Sequence, residues 1–360
     1  MNTQHPDNLN LAMIGNCAFS ALINEKGRIV WSCMPHFNGD PVFPRLANPP
    51  SAPEQPEEGF WEFVLADQTG SDQRYIENTA VVETILYDSH GGAVKITDLA
   101  PRFTHYERYY KPTTICRIVE PLQGRPRMAV RLRPRFDYGG TSPQITRGGN
   151  HMRFVAGDRA YRLTTDMPII YVEEERHFIV NGTYTFVFGP DEPLTAGIAS
   201  TGQRFRRETV NYWKEFSRGL AIPFEYQDAI IRAAITLKLC TFEESGAVLA
   251  AVTTSIPESP DSGRNWDYRY CWIRDSLFVI NALNRLGTTG AMEDYLCFIM
   301  NTALQAGDRD LQPLYGIDLD SEIHEWEAPH LNGYRGMNPV RVGNAAYHQN
   351  QHDVWGCAVL

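Results

Sequence analysis

From Leu11 to about Pro190 the chain alternates short apolar runs with turn residues, the texture expected of β-strands. Ala21 to Ile23 and Ile29 to Trp31 flank Glu25-Lys26-Gly27, and Val81 to Tyr87 and Ala93 to Thr97 flank Ser89-His90-Gly91-Gly92. Thr114 to Val119 and Met128 to Leu132 lie on either side of Gln123-Gly124-Arg125-Pro126. Phe178 to Val180 meets Tyr184 to Phe188 across Asn181-Gly182, the best two-residue hairpin signal because both turn positions need positive φ. Many short antiparallel strands without intervening helical patterns predict a β-sandwich rather than a parallel sheet. Asn48 to Glu58, rich in Pro and Glu, reads as a surface loop.

After Gly202 the period changes. Arg206 to Gly219 is helix-compatible and bridges to a second unit, with the boundary near Pro223. The predicted layout is a β-sandwich over 1–205, a linker helix over 206–222 and a helical unit over 223–360. In that unit Ile230, Ala234, Leu237 and Thr241 recur along one helical face. A second helix runs from Asp275 to Leu286 and stops at Gly287, and a third follows Thr288-Thr289 and ends near Gly307. A fourth opens after Gly343-Asn344, with Ala345, His348, His352 and Trp355 in register to the chain end. Between the last two, Asp308 to Val342 lacks a period but contains Tyr315, Trp326 and Tyr334. Aromatic loops of that length are usually functional rather than disordered.

Composition narrows the function. With 360 residues and a net charge of −10, the chain is long enough for two cores and has no basic patch for nucleic acid. Met1 to Asn10 is polar, no signal peptide or membrane span is legible, and seven widely spaced cysteines without a CxxC pair suggest reduced thiols in a cytoplasm.

The most informative stretch is Asn265 to Ser276, NWDYRYCWIRDS, which sets aromatics beside an Arg-Asp pair just before a helix. Sugar recognition uses that mixture: aromatic faces pack on a pyranose, while a guanidinium and a carboxylate take its hydroxyls. Asp275 would also lie at a helix N-terminus, where the dipole favours negative charge. The same residues serve equally well as core aromatics with a structural ion pair and cap.

The string DYRYCWIRDS, positions 267–276, resembles the first active-site segment of glycoside hydrolase family fifteen, which covers glucoamylases, glucodextranases and bacterial trehalase-like enzymes. The resemblance implies that Tyr268 and Trp272 line the pocket for a terminal glucose and that Arg274 and Asp275 grip its hydroxyls. Pro329 to Gly356 is similar to the loop and following helix of the bacterial members, which implies that Tyr334, Arg335 and Arg341 lie near the pocket rim. Asn338 stands where a basic residue is usual. Ile14-Gly15-Asn16 through Trp31, Pro35, Phe37 and Val42-Phe43 resembles the start of the family's N-terminal β-domain.

The resemblance implies a β + α multidomain chain, with an antiparallel β-sandwich followed by an incomplete (α/α)6 barrel. It also implies an inverting exo-acting α-glucosidase taking an α-glucan oligosaccharide or trehalose, with no cofactor. Inversion needs two separated carboxyl groups. In the family these glutamates follow the segment matched at Asn344 to Gly356, so they are expected beyond Leu360, and the chain is expected to be a fragment inactive by itself. The apolar terminus Val354 to Leu360, without a C-cap, fits that expectation.

Other constellations are weaker. Asp318, Asp320, Glu322, Glu325 and Glu327 form an acidic cluster read as a solvated loop, and Ile323 occupies the position where a calcium loop needs glycine. His348 and His352 are four apart, but Gln349 replaces the glutamate base of a zinc protease, so no metal is expected. No phosphate loop or serine elbow is present. The competing readings are a non-catalytic carbohydrate-binding or partner-binding chain and an α-glucan phosphorylase of similar architecture.

Overall fold

The computed structural model describes residues 8–50 and 54–359. Residues 1–7 of the polar start, 51–53 of the acidic loop and Leu360 lie outside the described residues, so the readings placed on them have no structural counterpart here.

Two antiparallel sheets face each other in the first unit. One runs in the order Leu11–Gly15, Ser20–Asn24, Ile29–Met34, Phe60–Leu65, Arg127–Arg133 and Phe178–Ile179, with Asp40–Phe43 paired to Ile29–Met34. The other runs Gln144–Arg147, His151–Ala156, Arg159–Thr165, Tyr184–Pro190, Ile115–Gln123, Ala93–Leu99, Val82–Asp88 and Gln68–Tyr75. Side chains alternate across each strand, and the inward ones from both sheets form one core. Trp61 of the first sheet meets Phe188 of the second with ring centroids 5.9 Å apart, and Phe63 meets Phe186 at 5.1 Å. An ion pair is enclosed in this apolar layer. Arg117 Nε and Nη2 donate to the two carboxylate oxygens of Asp98 at 2.7 and 3.1 Å, and Nη1 donates to the Trp61 carbonyl at 3.0 Å.

Two sequence expectations about pairing fail. Phe178–Ile179 pairs with Met128 and Arg127, whereas Tyr184–Pro190 pairs in the other sheet, so Asn181-Gly182 carries the chain between sheets rather than around a hairpin. Neither residue takes positive φ. The segment Gln123 to Pro126 likewise joins strands of different sheets. The other two predicted pairings, across Glu25-Lys26-Gly27 and across Ser89 to Gly92, are present.

After a short helix α1 (Ile169–Glu173) within the β-unit, α2 (Ile198–Arg218) begins earlier than the predicted linker helix and lies along the second sheet. The helical unit follows with α3 (Gln227–Leu239), α4 (Ile273–Arg285), α5 (Thr289–Ala306) and α6 (Asp353–Val359). The α3 stripe is rotated by one residue from the expected one, burying Ile231, Ala234, Ile235 and Leu239, because the face that matters is the one turned to Met13, Leu22 and Trp31 of the first sheet. Gly287 and Gly307, both at positive φ, end α4 and α5 as expected. The expected fourth helix is broken: Ala345–His348 is a 3-10 turn capped by the Asn344 side chain, Gln349 is extended, and α6 starts only at Asp353.

The long loop 308–342 is ordered by packing. Leu331, Tyr334, Val340 and Val342 enter the core between the units, and Asn332 donates to the Pro49 carbonyl at 2.9 Å. Trp31 Nε1 crosses the same junction to the Val252 carbonyl at 2.8 Å.

Candidate functional site

The stretch Asn265–Trp272 runs extended, hydrogen-bonded to the preceding segment through Ser255 N to Trp266 O and Ala251 N to Tyr268 O, both at 2.9 Å. Extended backbone sends alternate side chains to opposite sides. Asn265, Asp267, Arg269 and Cys271 are buried, while Trp266, Tyr268, Tyr270 and Trp272 are half-exposed.

The buried set fastens the stretch to the β-unit. Asp267 takes both Nε and Nη2 of Arg269 at 2.9 and 2.7 Å, and the remaining arginine donors reach the Gly39 carbonyl at 2.9 Å and the Tyr138 hydroxyl at 3.1 Å. Asn344 Nδ2 donates to the Asp267 carbonyl at 2.9 Å, tying in the loop before α6. A bidentate pair sealed from water is destabilising to break, so this clamp fixes the register of the residues between.

The other face opens on a cleft of about 340 Å³ lined by Glu258, Trp266, Tyr268, Trp272, Glu325, Asn344, Ala345, Ala346 and Gln349. The rings of Tyr268 and Trp272 lie 6.4 Å apart at 40°. The Trp272 indole N–H is buried and has no acceptor among the described residues. Burial raises the Tyr268 hydroxyl above its ordinary range, and the nearby charges of Glu258 and Asp275 push the same way. Glu258 accepts from Arg264 at 2.8 Å, and Glu325 is paired with Arg341 at 3.5 Å and accepts from the Ala345 N–H at 3.2 Å.

Of the residues singled out from sequence, Tyr268 and Trp272 come together in this cleft. Arg274 and Asp275 do not line it. They occupy the first turn of α4, at 44% and 48% side-chain exposure, where Arg274 pairs with Asp353 at 3.1 Å and with Asp275 at 3.5 Å. Tyr334 is not at a rim but buried in the core between the units, with the Arg335 guanidinium 5.1 Å from its ring centre. Arg341 stands behind the cleft, donating to the Asn265 carbonyl at 2.7 Å and holding Glu325. Sequence reading missed Trp266, Glu258, Glu325 and Asn344. The alternation of NWDYRYCW was the available signal for Trp266. Glu325, read as part of a solvated acidic run, is brought in by the pairing of Trp326–Glu327 with Arg341–Val342.

Two family models match. Glycosyl hydrolases family 15 covers residues 225–360, and the trehalase-like N-terminal family covers residues 3–171. Residues similar to the trehalase-like N-terminal family are thus followed by residues similar to glycosyl hydrolases family 15. It is 29% identical to the trehalase of Thermoplasma volcanium over 96% of this chain and 55% of that protein. It is 28% identical to that of Mycolicibacterium smegmatis over 95% and 54%. Against the trehalase of Mycobacterium tuberculosis it is 46% identical over 152 residues, 41% of this chain and 22% of that one. The chain thus spans about half the length of the full-span relatives it matches. The cleft lies within the residues that match the family 15 model, and its clamp reaches into those that match the trehalase-like N-terminal model. No helix among the described residues is long and apolar enough to cross a membrane.

Proposed function

We propose that this chain provides the glucose-holding side of an inverting α-glucosidase whose substrate is trehalose. The observation that carries the reading is the Trp272 indole: a buried N–H without an acceptor among the described residues, on a side chain that lines a cleft walled by aromatic faces and two carboxylates. An unmet buried donor is costly, and a pyranose hydroxyl would meet it while the sugar's apolar face packs on Tyr268 or Trp266. Arg274 and Asp275, just past Trp272, would then take outward-facing hydroxyls; the charge of Asp275 already bears on Tyr268. The trehalase names of the relatives favour trehalose over longer α-glucans.

Neither cleft glutamate serves as the acid or the base, because each is held by an arginine. The resemblance sets both roles after the segment matched at Asn344 to Gly356. For the helices we propose an (α/α)6 arrangement in which α4 and α5 form one hairpin, in line with the core they share. We place the protein in a reducing cytoplasm, which its seven free cysteines fit.

The test is calorimetric binding of trehalose, maltose and maltotriose to this chain, with hydrolysis followed in parallel for it and for a version extended downstream. Trehalose binding that Trp272→Ala removes is the expected result. No saturable binding of any of the three sugars overturns the reading. Binding of sugar with no turnover by either version would favour the carbohydrate-binding alternative.

A further inference from the structure

A second cavity, of about 310 Å³, lies in the β-unit between the strand Tyr184–Pro190, the segment 103–114 and the start of α2, and it shares no lining residue with the sugar cleft. Its wall is an aromatic triangle of Phe103, Tyr110 and Phe205, with ring centroids 4.9, 5.7 and 6.1 Å apart. The guanidinium carbon of Arg204 sits 5.7 and 6.0 Å from the Phe205 and Phe103 ring centres. Its Nε is buried without an acceptor, and among the described residues no carboxylate pairs with it. Arg162, also in the lining, donates Nε to Thr164 Oγ1 at 3.1 Å. Thr201, only 4% exposed, lines the same cavity with a hydroxyl that has no partner among the described residues. His105 and the exposed Glu192 complete its titratable groups.

Two guanidinium groups facing one carboxylate is the reverse of a chain with net charge −10. A guanidinium fork matches a carboxylate or phosphate in two parallel hydrogen bonds, and aromatic walls favour a ring over a bare ion. The hydroxyl of Thr201 adds a third donor. We propose that this cavity is a binding site for a small oxyanion carried on a ring, with Arg204 as the anion fork, Arg162 and Thr201 as flanking donors, and Phe103, Tyr110 and Phe205 as the surface for the ring.

Calorimetry with glucose 6-phosphate and with benzoate separates a phosphate ester from a carboxylate as the source of the oxyanion, with neutral glucose as the uncharged comparison. At least one charged probe should bind saturably, tenfold or more weakly in Arg204→Gln and about threefold more weakly in Thr201→Val. Trp272→Ala should leave this binding unchanged, so that failure here and failure of the sugar reading are told apart. Arg204→Lys, which keeps the charge but loses the fork, should bind between wild type and Arg204→Gln, and it carries the comparison if the glutamine variant does not fold. Absence of saturable binding by both probes, or equal affinity in wild type and folded arginine variants, overturns the proposal.

Discussion

Between the two sheets the large rings, Trp61, Phe63, Phe186 and Phe188 among them, are enclosed, whereas along α5 Leu296, Met300 and Leu304 stand in solvent. The α5 residues are four apart and therefore share one helix face. Phe278 on α4 and Trp355 on α6 are exposed as well. The difference is geometric. Each sheet needs one partner layer, and the other sheet supplies it. A helix buries a stripe against each neighbour, and α4, α5 and α6 cover one another through Ile273, Ile280, Tyr295, Phe298, Ile299 and Val354, with Val279, Ala291, Met292, Cys357 and Ala358 only partly buried against them. The aromatics of the cleft depend on the well-packed region: they ride on an extended stretch whose inner side is fastened to the β-unit by Arg269.

The largest expected contrast lies in the buried ion pair. Arg117→Leu leaves the Asp98 carboxylate without its partner in a layer sealed from water, so unfolding by urea should show a loss of about 3–5 kcal/mol. Phe278→Ser, on the exposed face of α4, should change stability by about 0.5 kcal/mol or less. Equal effects would mean that the two regions are packed alike.

The contact between the regions has its own pH signature. Burial works against the charge of Glu243, but Arg102, donating to it at 2.5 Å, and Lys238, at 2.8 Å, outweigh that and hold its carboxyl at about 2, below the ordinary 4.5. A depressed carboxyl contributes stability that is fully present above pH 4.5 and lost as pH falls through about 2. The shift corresponds to roughly 3 kcal/mol. Glu243→Gln should be less stable than wild type near neutral pH, and the gap should close between pH 4.5 and 2. A gap that does not depend on pH would mean that Glu243 contributes no charge to the junction.

A smaller effect is expected at the cleft. Trp272→Phe keeps an aromatic face and removes the unmet N–H, so the melting temperature should stay within a few degrees while trehalose affinity falls about tenfold, the worth of one good hydrogen bond. Unchanged affinity would leave that indole a packing group.

Eight strands were legible in the sequence because alternation is local, and six of them lie within two residues of their expected ends, whereas Phe60–Leu65, Gln68–Tyr75, His151–Ala156 and Arg159–Thr165 were given no expected range. Their partners were not. Asn181-Gly182 satisfies the hairpin rule, yet which sheet a strand joins is decided by the faces it must cover, and Phe178 and Tyr184 cover different ones. At the cleft, Tyr268 and Trp272 were readable because the aromatic-rich stretch resembles a known segment. Glu258 and Glu325 were not, since the folding of 250–258 and 325–342 onto that stretch brings them there. The acidic run around Glu325 looked like a solvated surface because nothing in its spacing points to Arg341.

The smallest stability effect tests the open region most directly. Leu304 is 78% exposed near the end of α5, so replacing it by lysine removes little buried area and keeps a good helix former. Unfolding free energy should therefore move by no more than about 0.5 kcal/mol. Solubility should respond more, since a contiguous apolar stripe drives association in proportion to its area and a charge in the stripe interrupts it. Met300→Lys with Leu304→Lys should lower light scattering at high protein concentration and leave trehalose binding at the cleft intact, because neither residue lines it. If the double variant instead unfolds at distinctly lower urea, the α5 face is buried in solution, and the contrast between an enclosed β-unit and an open helical unit fails.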